Sequence, residues 1–399
     1  MVMLASVSYI NRTAMPIAGP AIMKEFGLTQ TQMGTIYSAF LFSYAILMVP
    51  EGALTDRFGP RLILGITGLA AAGVTALAAL AGHPPMSTFL SAFVSFHVIR
   101  LLVGAFYAPL FPGCSRMIAN WFDSGHRARM QGLVTAGAPL GAAFTPVFIS
   151  WLIARDGWRN ALLVSAAITG AASLIWILLA RDVPQNGNAA PPPPKGSTSW
   201  IRLLGDPGLL ILSASYFALN YFEYIFFYWI YFYFGEVKHM PGQAGAIYTT
   251  ILLLTMMVAS AFGGWLSDSL GSRWGIILGR RFVAGGGMTA SAFLLVFGVN
   301  AHSDGMIVFL LALALGFAAA AEGPFMASAI DMAGPDAGAA VGVMNGIGNV
   351  GGLIAPVLTP YLAERAGWSA GLYFASAVVL VGATAWISYP SRRTEIRLS

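Results

Sequence analysis

Apolar stretches separated by short polar breaks run along nearly the whole chain. Each is long enough for a helix to cross a bilayer, which takes about 20 residues. They predict twelve spanning helices, at 3–23, 31–54, 62–82, 87–118, 129–154, 159–180, 207–235, 243–267, 275–299, 304–330, 338–362 and 367–389. The pattern changes between the sixth and seventh. There an Asn/Gly-rich run leads into Pro191 to Pro194, which predicts a hydrated, extended linker over 183–203. It splits the chain into an N-terminal six-helix bundle, 1–182, and a C-terminal one, 204–399. The expected class is an all-α membrane protein of two such bundles.

A few polar residues interrupt these helices, and they are the candidate chemistry. Arg12 lies deep in the first helix beside Asn11. A guanidinium there costs about 2.5–3.5 kcal/mol on insertion scales. It either binds a carboxylate through its planar fork of donors or pairs with an acid on another helix. Helix four places His97, Arg100, Gly104, Tyr107 and Phe111 on one face. Arg100 is a second anion contact or an ion-pair partner, and Tyr107 a cavity wall or a packing residue. Helix seven carries a polar-aromatic stripe of Tyr216, Asn220, Glu223, Tyr224, Phe227 and Tyr231. Helix ten buries Glu322 among Ala319 to Ala321, Gly323 and Pro324. Glu223 and Glu322 read as proton sites or as partners of the arginines. Helix eleven offers Asn345 and Asn349 among glycines.

Composition supports the class and removes others. The 399 residues are 57% hydrophobic and only 9% charged, where soluble domains run nearer 25% charged. The net charge of +5 suggests orientation in a membrane rather than a nucleic-acid partner. Arg57, Arg61, Arg127, Arg181, Arg202, Arg273, Arg280 and Arg393 fall on one side, which predicts that both termini and the linker are cytoplasmic. Cys114 is the sole cysteine, so no intrachain disulfide forms. The first helix has no basic leader region and carries Arg12 where a signal peptide is apolar, so it is expected to be retained. There is no phosphate-binding Gly-x-x-x-x-Gly-Lys loop, no Cys/His metal spacing and no Gly-x-Ser-x-Gly elbow. Neither an enzyme, nor a cofactor, nor a metal is expected.

The two halves repeat. An offset of 212 residues relates Asp56 to Asp268, Arg61 to Arg273 and Pro112 to Pro324, and an offset of 210 relates Gly157-Trp158 to Gly367-Trp368. By the same offset Glu223 is the counterpart of Asn11. Parallel repeats of six helices around a cavity are a transporter architecture.

The stretch Gly52-Ala53-Leu54-Thr55-Asp56-Arg57-Phe58-Gly59-Pro60-Arg61, with a weaker copy from Gly264 to Arg273, resembles the signature loop of the major facilitator superfamily. The resemblance implies a conformational latch built from Asp56, Arg57, Arg61, Asp268 and Arg273. Three further stretches are Asn11-Arg12 with Ala18-Gly19-Pro20, Ser38-Ala39-Phe40 with Tyr44, and Arg100 to Arg116. They resemble the anion:cation symporter family, which includes bacterial galactonate and hexuronate transporters, sialin and the vesicular glutamate transporters. That resemblance implies a substrate site lined by Arg12, Tyr44 and Asn345, with Arg100 in a charge network.

This chain departs from that family at three places. Asn11 replaces the usual acid before the helix-one arginine, Tyr107 replaces the usual helix-four glutamate, and Met48 replaces a glutamine after Tyr44. Proton coupling by the usual residues is therefore not expected, and Glu223 and Glu322 become the candidates. The expectation is a monomeric secondary carrier of small organic anions, a monocarboxylate or partly apolar acid. Its substrate contacts would be Arg12, Asn11, Tyr44, Arg100, Tyr107, Asn220, Tyr224 and Asn345. It would sit in the inner membrane of a bacterium and work by alternating access. A drug or neutral-solute antiporter on the same fold, or a non-transporting sensor, are the alternatives.

Overall fold

The computed structural model describes residues 1–83, 90–122, 124–183, 203–240, 243–333 and 337–388. Most of the expected linker lies outside them, as do Arg202, Arg393 and the side chain of Arg127. Every regular element among the described residues is helical. The first half holds α1 (Val2–Phe26), α2 (Gln30–Phe58), α3 (Pro60–Leu77), α4 (Ala92–Tyr107), α5 (Leu110–Trp121) and α6 (Ser124–Leu179). The second holds α7 (Pro207–Tyr228), α8 (Ala244–Trp274), α9 (Ile276–Arg280), α10 (Gly286–Asn300), α11 (Asp304–Ala319), α12 (Glu322–Ala333), α13 (Ala337–Ala366) and α14 (Trp368–Ser388).

These helices carry the expected traverses. Among the described residues, nine helical stretches are long and apolar enough to cross a membrane, and a tenth is α2, bent by 53° where Pro50 interrupts it. A proline removes an internal hydrogen bond and crowds the preceding turn, which accounts for the bend. The 56 residues of α6 are about 84 Å of helix, enough for two crossings. They turn back at Gly157, whose φ of 81° is left-handed. The 25 residues of α1, interrupted by Arg12, supply the remaining length.

By its internal contacts the chain divides into two compact units, Met1–Pro194 with Tyr231–Thr250, and Lys195–Ile230 with Ile251–Ser399. The segment after α7 thus groups with the first unit. A short helical turn Ile230–Phe232 and a π-helical turn Tyr233–Val237 lead it away from α7, and Thr250 Oγ1 donates to the Ala143 carbonyl at 2.8 Å.

Within each unit the repeat is visible in the packing. In the first, α1 packs along α6, and a Cβ on Gly141 would collide with the Ser6 backbone. In the second, α7 packs along α13, and a Cβ on Gly351 would collide with the Phe217 carbonyl. Gly367 has a φ of 83°, matching Gly157, and the tryptophans that follow, Trp158 and Trp368, are both buried. One element shifts. The turn after α2 is made at Gly59, with φ 87°, but its equivalent after α8 is made at Gly275, with φ 91°. The helix runs one turn further, so Asp268 and Arg273 are exposed residues within α8 rather than at a turn matching that of Asp56 and Arg61.

Candidate functional site

In the first unit the polar residues converge on an aromatic ring. The Arg12 guanidinium carbon lies 5.2 Å from the centroid of Phe40 and that of Arg100 lies 4.7 Å from it. Arg12 also lies over Tyr9, at 5.2 Å, and donates to its hydroxyl at 3.4 Å. Tyr44, one turn on from Phe40, stacks on it with centroids 5.8 Å apart, and Tyr107 meets it at 6.4 Å. Arg12 and Tyr44 are half-buried, whereas Arg100 is only 3% exposed. This geometry rests on Gly104: a Cβ there would strike the Phe40 carbonyl and the Ser43 hydroxyl, so its absence lets α4 lie against α2. Arg100 precedes Gly104 by one turn and so reaches the ring.

Two of the expected contacts are engaged inside the bundle. Asn11 is 2% exposed, and its amide donates to Thr75 Oγ1 at 3.0 Å and to Thr169 Oγ1 at 3.4 Å. Successive helix residues point about 100° apart, so Asn11 ties α1 to α3 and α6 while Arg12 turns toward Phe40. Tyr107 is 6% exposed and lines a small cavity of about 20 Å³ with Ser8, Thr67, Thr169 and Ser173.

In the second unit Glu223 and Glu322 come together. Their carboxyl groups are neighbours, and Ser260 Oγ donates to Glu322 Oε2 at 3.0 Å. Glu223 is 3% exposed. Tyr216 stands against Phe325, with centroids 5.2 Å apart, and Asn220 Nδ2 donates to the Tyr216 carbonyl at 2.9 Å. Tyr224 is half-buried and packs over Gly352, whose Cβ would come within 2.9 Å of its ring. Asn345 is half-buried on α13.

The residues of the signature loop divide into different roles. Asp56 faces Arg116 Nε of α5 at 3.6 Å. Arg57 lies over Phe58. Arg61 donates from its guanidinium to the Ile177 carbonyl at 2.7 and 2.9 Å, and its backbone N–H donates to Asp182 Oδ1 at 2.7 Å. It is thus an anchor between α3 and the end of α6. In the second unit the tight ion pair is Arg280 with Asp331, at 2.6 Å.

The sequence reading missed Phe40 as a site residue, although it stands one turn before Tyr44 in the motif. It also missed Arg116, which the repeat offset pairs with Ser328 rather than with another cation. Arg280 donates to that serine at 3.4 Å.

Paired repeats of membrane-crossing helices, with charged side chains held inside them, define a polytopic membrane transport protein. The chain belongs to the Major Facilitator Superfamily, whose family model matches residues 1–279 and again 270–398. A probable sulfoacetate transporter of Cupriavidus necator is 27% identical over 96% of this chain and 91% of its own length. The D-galactonate transporter of Escherichia coli is 27% identical over 96% of this chain and 92% of its own. Among solved structures, a bacterial homologue of the human lysosomal transporter Spinster superposes with a TM-score of 0.81, covering 99% of this chain and 96% of its own at 17% identity. That likeness shows the fold alone.

Proposed function

We propose that this protein is a secondary carrier of small organic anions and that Arg12 recognises the acidic group. The observation that carries this reading is a half-buried guanidinium inside an apolar membrane helix, seated over Phe40 beside Tyr44. A planar fork of donors matches a carboxylate or sulfonate, and the aromatic surface around it suits a monocarboxylate or partly apolar acid. The relatives named for sulfoacetate and D-galactonate support the anion class. Within the second unit, half-buried Tyr224 and Asn345 are the polar candidates of this reading. The site opens to each side in turn by alternating access, and arginines flanking the turn between α2 and α3, Arg57 and Arg61, orient both termini to the cytoplasm of a bacterial cell.

Glu223 and Glu322 are the coupling groups in this reading. Two neighbouring carboxylates inside a bundle repel when both are charged, which makes such a pair a place to take up a proton. Uptake of labelled sulfoacetate, D-galactonate and simple monocarboxylates into proteoliposomes tests the anion class. Glu223→Gln or Glu322→Gln should abolish accumulation driven by a proton gradient while leaving counterflow exchange. Unchanged accumulation in both variants removes the coupling.

A further inference from the structure

Two cations share one ring in this protein, and that arrangement has a cost. Arg12 of α1 and Arg100 of α4 both remain charged at any physiological pH. Both lie over Phe40, at 5.2 and 4.7 Å from its centroid. Away from water, like charges repel more strongly. The face of an aromatic ring carries negative partial charge and attracts a cation within about 6 Å. Phe40 is 1% exposed, and it is held between Tyr44, whose ring is within 12° of parallel to it, and Tyr107. Its orientation is therefore set by packing, and the guanidiniums settle on it. A leucine would fill much of the volume and supply none of the charge distribution.

We propose that Phe40 is a positioning residue: its ring holds the Arg12 and Arg100 guanidiniums in place, presenting Arg12 to the substrate anion with the charge of Arg100 behind it. The proposal rests on the organic-anion reading for its consequence in transport. Its physical core, attraction between the ring and the two cations, is testable without substrate.

The test replaces Phe40 in the full-length protein with mono-, di- and trifluorophenylalanine. These keep the ring and its packing but drain negative charge from its face step by step. The melting temperature of the ligand-free protein should fall with each fluorine. The same series in an Arg12→Ala, Arg100→Ala background should be flat, because the cations that sense the ring are gone. Equal melting temperatures along the wild-type series, or an equal fall in both backgrounds, overturn the proposal. The consequence for transport is read with sulfoacetate, whose affinity should weaken about tenfold with the trifluoro ring. The Arg12→Ala single variant separates the two claims. If it binds and transports carboxylates like the wild type, the transport reading fails whatever the fluorine series shows. If it loses them while the fluorine series is flat, the positioning role alone fails.

Discussion

Asn11 and Thr75 hold each other reciprocally: the asparagine amide donates to Thr75 Oγ1 at 3.0 Å, and that hydroxyl donates back to Asn11 Oδ1 at 3.2 Å. Thr169 adds a third contact, at 3.4 Å. The residue beside Arg12 is thus a fastener between α1, α3 and α6. Leaving buried polar partners unsatisfied costs about 1–3 kcal/mol. Asn11→Ala should lower the melting temperature of the purified protein and leave carboxylate affinity unchanged. A selective loss of affinity at unchanged stability would return Asn11 to the substrate site.

Gly104 is where α4 touches α2. Alanine there would meet the Phe40 carbonyl and the Ser43 hydroxyl, and overpacking of this kind costs about 1–3 kcal/mol. Gly104→Ala should both destabilise the protein and weaken anion binding, since moving α4 moves Arg100 off its ring. Wild-type affinity in a folded Gly104→Ala protein would show that Arg100 is not held by that contact.

Gly157 and Gly367 make the same turn in the two halves, with φ of 81° and 83°. A side chain in such positive-φ backbone costs about 1–3 kcal/mol, and at Gly157 ψ is 165°, a combination almost confined to glycine. Neither glycine has an atom near its would-be Cβ, so the cost is conformational rather than steric. Each alanine variant should lower stability by that amount, measured by thermal unfolding, and the two effects should add.

Glu25, at the end of α1, gives a pH signature outside the membrane span. Its carboxyl accepts from Arg159 at 2.6 and 2.9 Å and from Trp158 Nε1 at 2.8 Å. The Arg159 hydrogen bond is the main cause that holds its pKa below the ordinary carboxylate value; burial opposes it, and the Trp158 hydrogen bond adds to the lowering. A depressed pKa adds stability that is full above the ordinary value of about 4.3 and is lost as pH falls through the lowered one. The pair is partly exposed, so it contributes about 0.2–1 kcal/mol. Melting temperature against pH should drop less steeply at the acid end in Glu25→Gln than in the wild type. Identical acid limbs would mean that the pair adds nothing.

Much of the architecture was legible because membrane helices announce themselves by length. The duplication was legible at Gly157-Trp158 and Gly367-Trp368, where a left-handed turn and a buried tryptophan recur. The second signature loop was not, because a constant offset places its turn at Gly271, whereas α8 continues to Trp274. In the first unit's cluster, Arg12, Arg100 and Tyr44 stood out as polar residues in apolar helices. Phe40 did not, since a phenylalanine in such a helix has no contrast with its neighbours. Asn11 had contrast but no direction: periodicity does not say which face of α1 meets Thr75 and Thr169. Nor could spacing show that Glu223 and Glu322, on different helices, form one pair.

The central claim is that Arg12 recognises an organic anion, and its most direct test is uptake of labelled small carboxylates and sulfoacetate into proteoliposomes by the wild type and by Arg12→Ala. Hydrogen bonds to a charged group contribute about 1.5–3 kcal/mol, so the variant should lose about ten- to a hundredfold in affinity while folding normally. Transport of these anions by Arg12→Ala at wild-type affinity, or wild-type transport of cations and neutral compounds only, would contradict it.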